Sequence, residues 1–452
     1  MFRVKLRPAA ALLVISFIAV GFFACTEKNE AEPLPVVESA TPSGEVMMQT
    51  FYWDVPAGGT WYGGLESKLS SWQAAGITAL WLPVISKGQS GPLSMGYDPY
   101  DYFDFGQYDQ HGTVETRFGS ATELTSLLSN AKAQGFKLIA DIVLNHNSGG
   151  NSQFNPQTNS NTWTLFNPAS GKFNRTYADF HPNTAHAADA AVFASFPDLC
   201  HDVQNVKDWL WLRPDGVGKY YKNTLGFDGW RFDFVTGYAP TVVKEWNAAV
   251  GGSISIGEKN WDSSIKDLND WCTAANSGAF DFPLYFALDA AFDGDNMVTL
   301  GDKGLITVNS AGAYTFVANH DTDEISAANK LKAYAYILTA EGTPFIFYKD
   351  YEMLLDKAKL NTLIEIKKTL AAGSTTKLFA GKSQYIFRRN GTPGLVAFFN
   401  NGAAVSERRV QTQWANALLK DFTGTNPDVT TDESGYATLT CQANNYAVYS
   451  RK

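Results

Sequence analysis

Eight apolar runs, alternating with stretches that carry the three-to-four-residue rhythm of an amphipathic helix, set the strongest limit on how this chain folds. The runs are Val46 to Asp54, Ile77 to Val84, Leu138 to Asn145, Gly229 to Val235, Ser253 to Asn260, Ala279 to Phe286, Ala313 to Asp321 and Pro344 to Asp350. Leu124, Leu127, Leu128 and Ala131 mark one helix face, with Gly135 just past its end. Leu65, Leu69 and Trp72 mark another, followed by Gly76, and a third starts at Pro240 and carries Val242, Val243, Trp246 and Val250. Eight strand–helix units predict an α/β fold, a (β/α)8 TIM barrel, with any active site at the carboxyl ends of the strands.

Two segments break the rhythm. Residues 147–202 are rich in Asn, Pro, His and Ala, have no sustained period and are too long for an ordinary loop, so they predict a loop-rich lobe over the barrel mouth. Beyond residue 372 come short strands, Tyr385 to Arg389, Leu395 to Asn400, Tyr436 to Cys441 and Tyr446 to Ser450, with Asn-Gly turns at 390 and 401. They predict a C-terminal antiparallel β-sandwich domain over 373–452, leaving 46–146 and 203–372 to the barrel.

Arg3, Lys5 and Arg7 precede an apolar run from Ala9 to Ala24, the pattern of a secretory signal over 1–24. Gly21 to Cys25 resembles a bacterial lipoprotein processing site, so Cys25 is expected to be acylated and residues 25–45 to act as a tether. The chain is expected to be an exported cell-envelope lipoprotein, at the outer membrane or cell surface, or otherwise secreted; it is expected to be a monomer and to meet the membrane only through its lipid. The net charge of −9, or −12 without the three leader cations, disfavours nucleic acid as a partner. Four cysteines give no disulfide framework, and pairing of Cys272 with Cys441 stays open.

Within the run at Gly229-Trp230-Arg231-Phe232-Asp233-Phe234, both faces are bulky, as in a strand covered on both sides. A lone buried carboxylate is costly, so Asp233 either pairs with Arg231 as a structural element or faces a polar cleft at the strand end. Other acids and imidazoles gather at comparable strand ends: Asp141 to His146, Gly257-Glu258, and Asn319-His320-Asp321. Glycoside hydrolysis needs one carboxyl as nucleophile or base and another as proton donor, flanking a bond whose transition state is cationic.

These four segments resemble the four sequence regions of the α-amylase family of glycoside hydrolases. Gly96 to Asp104, Gly112 to Gly119 and Phe196-Pro-Asp-Leu-Cys-His201 resemble the archaeal and plant-like members in particular, and the resemblance runs from about Val46 to the chain end. It implies a retaining double displacement on α-1,4-glucans, with Asp233 as nucleophile, Glu258 as proton donor and then base, and Asp321 holding sugar hydroxyls. Arg231 would keep Asp233 ionised while Glu258 is protonated near neutral pH. His146 and His320 would hydrogen-bond the sugar, and Tyr97 would stack beneath it. Trp261 stands one residue later than the corresponding aromatic of relatives, and Thr236 replaces their lysine, so the acceptor side departs from the family pattern.

The resemblance also implies a calcium site of Asn145, Asp189, Asp198 and the carbonyls of Ala191 and Gly237, although the two acids read alone would be solvated loop residues. His181, His186 and Cys200 offer ligands of the type zinc prefers, at a motif where archaeal relatives hold zinc. The implied activity is endo-acting hydrolysis of starch- or glycogen-type glucans. The alternatives are a 4-α-glucanotransferase with the same catalytic residues, and a non-catalytic glycan-binding envelope lipoprotein.

Overall fold

The computed structural model describes residues 33–189, 193 and 196–452. The leader, Cys25, the first part of the tether and Ala191 lie outside the described residues. Each of the eight runs contributes one strand: β1 (Met47–Gln49), β2 (Ala79–Trp81), β3 (Lys137–Ile142), β4 (Gly229–Phe232), β5 (Ile254–Gly257), β6 (Gly278–Phe280), β7 (Ala313–Thr315) and β8 (Thr343–Phe347). All neighbours are parallel, and β1 pairs with both β2 and β8, closing the barrel. Every strand therefore ends at the same mouth. The register sets Asp141 of β3 beside Arg231 of β4, so an acid and a base share one layer.

The surrounding helices are α1 (Trp61–Glu66), α2 (Leu69–Ala75), α3 (Ala121–Ala133), α4 (Pro240–Val250), α5 (Ile265–Ala275), α6 (Phe282–Phe292), α7 (Ala327–Thr339) and α8 (Lys357–Thr369). The start of α3 is fixed by a capping box in which Ser120 and Glu123 each accept the other's backbone N–H. The run from Ala279 to Phe286 is only half strand. Asp281 caps α6 by accepting the Leu284 N–H, and Pro283 follows in the first turn, so the apolar sequence passes from strand to helix. A short run buried all round carries no period by which to tell the two apart.

The inserted lobe contains a β-hairpin, Asn151–Asn155 with Ser160–Leu165, that its sequence did not announce. Beyond α8, a six-stranded sheet runs in the order β9 (Thr375–Ala380), β10 (Gln384–Arg389), β11 (Leu395–Asn400), β16 (Asn445–Arg451), β13 (Leu418–Asp421), β14 (Val429–Thr430). A second sheet pairs β12 (Ser406–Gln411) with β15 (Tyr436–Cys441). Ile386, Phe398, Leu419, Leu439 and Tyr449 fill the space between the sheets, whereas Tyr385, Phe387 and Phe399 join the barrel's core. Burial on both faces explains why Leu395–Asn400 reads as an unbroken apolar strand.

The last part of the expected tether is hydrogen-bonded to this domain, since Glu38 N–H donates to the Asn390 carbonyl and Ala40 accepts from Thr392 N–H. Cys200, Cys272 and Cys441 are free and buried. Among the described residues, no helix is long and apolar enough to cross a membrane.

Candidate active site

Arg231 projects from β4 into the mouth and is fully enclosed. Its Nη1 donates to Asp141 Oδ1 and Asp233 Oδ1, both at 2.8 Å, and its Nη2 lies 2.9 Å from Glu258 Oε2. The remaining oxygen of Asp141 accepts from Trp81 Nε1 at 3.1 Å and from the Tyr97 hydroxyl at 2.7 Å, so that acid is spent on positioning. Asp233 and Glu258 each keep an edge on the cleft. Burial pushes the Asp233 carboxyl well up; Arg231 opposes this, while Glu258 and Asp141 add to it.

Local backbone sets these directions. Phe234 lies in the left-handed region at φ 43°, which turns the chain at the strand end and points its N–H at Glu258 Oε2, 3.2 Å away. Gly257, just before Glu258, lies under the Trp271 ring, and a Cβ there would meet that ring at 2.1 Å. Only glycine leaves room for the ring.

Across the cleft, His320 Nε2 lies 3.1 Å from Asp321 Oδ2, and its Nδ1 is 2.9 Å from Gln49 Nε2. Burial, with Arg231 adding, pushes the His320 pKa well down, so the ring is neutral: Gln49 donates to Nδ1, and Nε2–H donates to Asp321. Asp321 is pushed up to about 6 by burial, then by Glu258. Trp53, Tyr97 and His320 lie within 20° of parallel, with centroids 5.3 to 6.1 Å apart, and tile one wall. The other end of the cleft carries Phe193, Phe234, Thr236, Asn260 and Trp261, the last stacked on Phe282 at 6.0 Å. Thr236 donates to Asn260 Oδ1 at 2.7 Å. The cleft holds ≈ 620 Å³.

The structure thus brings Asp233, Glu258, Asp321, Arg231, Tyr97, His320 and Trp261 together. It does not place His146 on the cleft wall. That ring is buried, its Nε2–H donates to the Tyr97 carbonyl at 2.9 Å, and Phe193 and Phe196 stack on it at 4.6 and 5.2 Å. With its donor committed, its face covered and its Nδ1 beside Asn145 Nδ2 at 3.5 Å, the ring is held among protein partners and not turned to the cleft. Trp53, Phe193, Asn260 and the positioning role of Asp141 escaped the sequence reading; each adjoins a motif, but nothing in the local period separates it from core.

Beside the mouth, Asn145 Oδ1 and both carboxylate oxygens of Asp198 are buried with no hydrogen-bond partner among the described residues. The backbone of Gly237 presses so close that a Cβ would meet Asn145 Oδ1 at 1.8 Å. Burial pushes Asp198 up to about 7, with His181 opposing and Asp189 adding. Buried, unpartnered oxygens in an acidic setting fit a hard cation such as calcium. The expected zinc gains less: His181 Nδ1 is likewise buried without a partner among the described residues, but the other expected ligands do not gather round it. His181 Nε2 lies 3.7 Å from Asp189 Oδ2, His186 turns its Nδ1 toward Asp202 at 3.7 Å, and among the described residues no three His, Cys, Asp or Glu converge at metal-holding spacing.

Comparison with known proteins places this geometry. The family described as alpha amylase, catalytic domain, matches residues 23–253, and alpha-amylase C-terminal matches 395–450. A glucan 1,4-alpha-maltohexaosidase of a Bacillus species (strain 707) is 26% identical, covering 90% of this chain and 92% of its own. The alpha-amylase of Geobacillus thermoleovorans, solved with acarbose, superposes with a TM-score of 0.68 at 21% identity, covering 91% of this chain and 99% of that one. A cyclomaltodextrin glucanotransferase superposes at 0.71 with 19% identity, covering 90% and 99%. With the catalytic-domain match spanning half of the chain, through Arg231 and Asp233, and alpha-amylase relatives aligned over nine-tenths of it, the chain belongs to the α-amylase family and is a glycoside hydrolase.

Proposed function

We propose that this protein is an endo-acting α-amylase that cleaves internal α-1,4-glucosidic bonds by a retaining double displacement. The observation that carries the reading is the single guanidinium of Arg231 spanning Asp233 and Glu258 at the floor of an open cleft. Such a bridge favours the short carboxyl separation of retaining enzymes, about 5–5.5 Å, over the wider gap of about 6.5–9.5 Å that admits a water between them.

In this reading Asp233 attacks the anomeric carbon while Glu258 protonates the departing oxygen. Asp233 attacks as the carboxylate, and Arg231, which opposes the upward pull of burial on that carboxyl, is the group that holds its charge. Glu258 then takes a proton from water as water displaces Asp233. Asp321, with neutral His320 behind it, holds sugar hydroxyls, and the Trp53–Tyr97–His320 wall supports the sugar faces. Arg231 holds the acids in place. Calcium, when bound by Asn145, Asp198, Asp189 and the carbonyls of Gly237 and Ala191, would neutralise buried oxygens and tie the lobe to the loop that follows Asp233.

A second reading, 4-α-glucanotransfer, is favoured by the acceptor end, where the Thr236–Asn260 bond and Trp261 offer a sugar platform. One experiment separates the readings: the mature chain on soluble starch, with reducing ends and chain lengths followed beside an Asp233→Asn variant. Rapid loss of long chains with rising reducing ends, reduced about 10⁴-fold or more in the variant, is expected. Redistribution of lengths without new reducing ends means transfer, and no change means a binding protein.

A further inference from the structure

The hairpin in the inserted lobe inverts the usual pattern of a strand pair. Its inward side is polar, with Asn155 and Thr164 buried, whereas Phe154 and Trp163 point outward, 57% and 67% exposed. Phe154 faces Asn161 across the ladder, and although the register shifts between Thr162 and Leu165, the exposure of Trp163 beside buried Thr164 puts its ring on the outward side as well. Apolar rings on the wet side of a polar strand pair bury little of their surface and stabilise the fold less than the same rings turned inward would.

Three tryptophans of the described residues are large exposed apolar groups: Trp53 at 48%, Trp261 at 46% and Trp163 at 67%. The first two line the catalytic cleft. The third lines a separate groove of ≈ 370 Å³, with Asn161, Thr162, Phe196 and Pro197 around it, and with His181 and Asp198 of the expected metal sites also on its wall. Phe196 links the two places: it walls the groove, stacks on Phe193 at 6.1 Å, and Phe193 walls the cleft. The chemistry repeats as well. A flat ring with amide and hydroxyl groups at its edge suits a pyranose, whose C–H face is apolar and whose rim is hydroxylated.

We infer that the Trp163 groove is a second binding site for an α-1,4-glucan chain, separate from the catalytic cleft and joined to it by the Phe193–Phe196 pair. The inference rests on the glucan reading above and adds a place where polymer is held without being cut. The chain's net charge of −9 disfavours an anionic occupant such as a lipid headgroup.

The test uses full mature chains with calcium present, run on native gels containing increasing soluble amylopectin. Asp233→Asn, which binds without cleaving, is compared with the same variant carrying Trp163→Ala. The added substitution is expected to raise the apparent Kd for amylopectin about tenfold. In the active chain, Trp163→Ala should lower kcat/KM on amylopectin about fivefold and leave a short chromogenic maltotrioside unaffected, because that substrate is too short to reach the groove. Equal retardation of the two inactive chains would overturn the inference and leave the catalytic reading standing. Absence of retardation in either would overturn both. A change in sedimentation instead of retardation would make the groove a contact between copies, and the inference would fail.

Discussion

At the barrel mouth one guanidinium meets three carboxylates, whereas at the seam between α7, α8 and the C-terminal sheet three cations end on neutral oxygens. Lys332 donates to Asn401 Oδ1 at 2.5 Å and to Asn444, Lys367 to the carbonyls of Ala340 and Gly342, and Arg389 to those of Thr339 and Gly373. Burial moves the acid–base balance in both places, in opposite senses. At the mouth burial pulls acids upward, Asp233 well up and Asp321 to about 6. At the seam burial pulls bases downward, Lys332 to about 8, Lys367 to about 7 and Arg389 to about 10. A shifted buried charge therefore does not mark a site by itself. What distinguishes the mouth is an open cleft on which acids of different surroundings converge.

The largest expected effect contrasts the two arginines. Arg231→Lys cannot span three carboxylates, because an ammonium has no planar fork. It should lower kcat/KM about 10²–10³-fold. Arg389→Lys should change kcat/KM less than about twofold and show its cost in the urea midpoint, about 1 kcal/mol. Steady-state kinetics on a soluble maltoheptaoside read both. If the seam variant loses activity as the mouth variant does, the distinction between the regions collapses.

Next in size is the cation expected beside the mouth. Calcium at 100 times its Kd stabilises the folded chain by about 2.7 kcal/mol, so chelation should lower the wild-type Tm by several degrees. Asp198→Asn gives up one of the two carboxylates that would balance the ion, and its Tm should respond little to chelator. Equal chelator shifts in both proteins would mean that the orphaned oxygens of Asn145 and Asp198 are satisfied in another way.

How far the sequence could anticipate these regions follows from range. Gly229 to Phe234 carries its burial and its charge in six residues, and the strand order of a parallel barrel fixes where its end must lie, so the Arg231–Asp233 pair was legible. The covered face of His146 was not, because Phe193 and Phe196 reach it from a lobe about fifty residues away. The hairpin at 151–165 was hidden because its alternation carries polar groups inward, against the rule used to find strands. Nor was the seam visible: Lys332 and Lys367 fall on helical patterns as ordinary solvent-facing lysines, and only the docking of the C-terminal sheet buries them.

Lys367 supplies the smallest effect and the most direct test of why the seam differs. Its amine is enclosed, feels the charge of Arg389 and, opposing it, that of Glu341, and donates to the Gly342 carbonyl at 2.9 Å. Its pKa falls from the ordinary 10.5 to about 7, through burial first and Arg389 second. Between those values the unfolded chain binds the proton and the folded chain does not, so this residue makes stability rise with pH from about 7 toward 10.5, by up to about 1.4 kcal/mol per pH unit. Below pH 7 both states hold the proton and the slope vanishes. Lys367→Met removes the titration and leaves Lys332 and Arg389 in place, so the difference between the two proteins isolates one group. Urea denaturation at pH 6, 7, 8 and 9 should give curves for wild type and variant that run parallel from 6 to 7 and converge or cross above it as the wild type gains. Parallel behaviour throughout would mean that Lys367 keeps its proton in the fold. The seam would then hold a full charge as the mouth does, and the contrast between the regions would reduce to access alone.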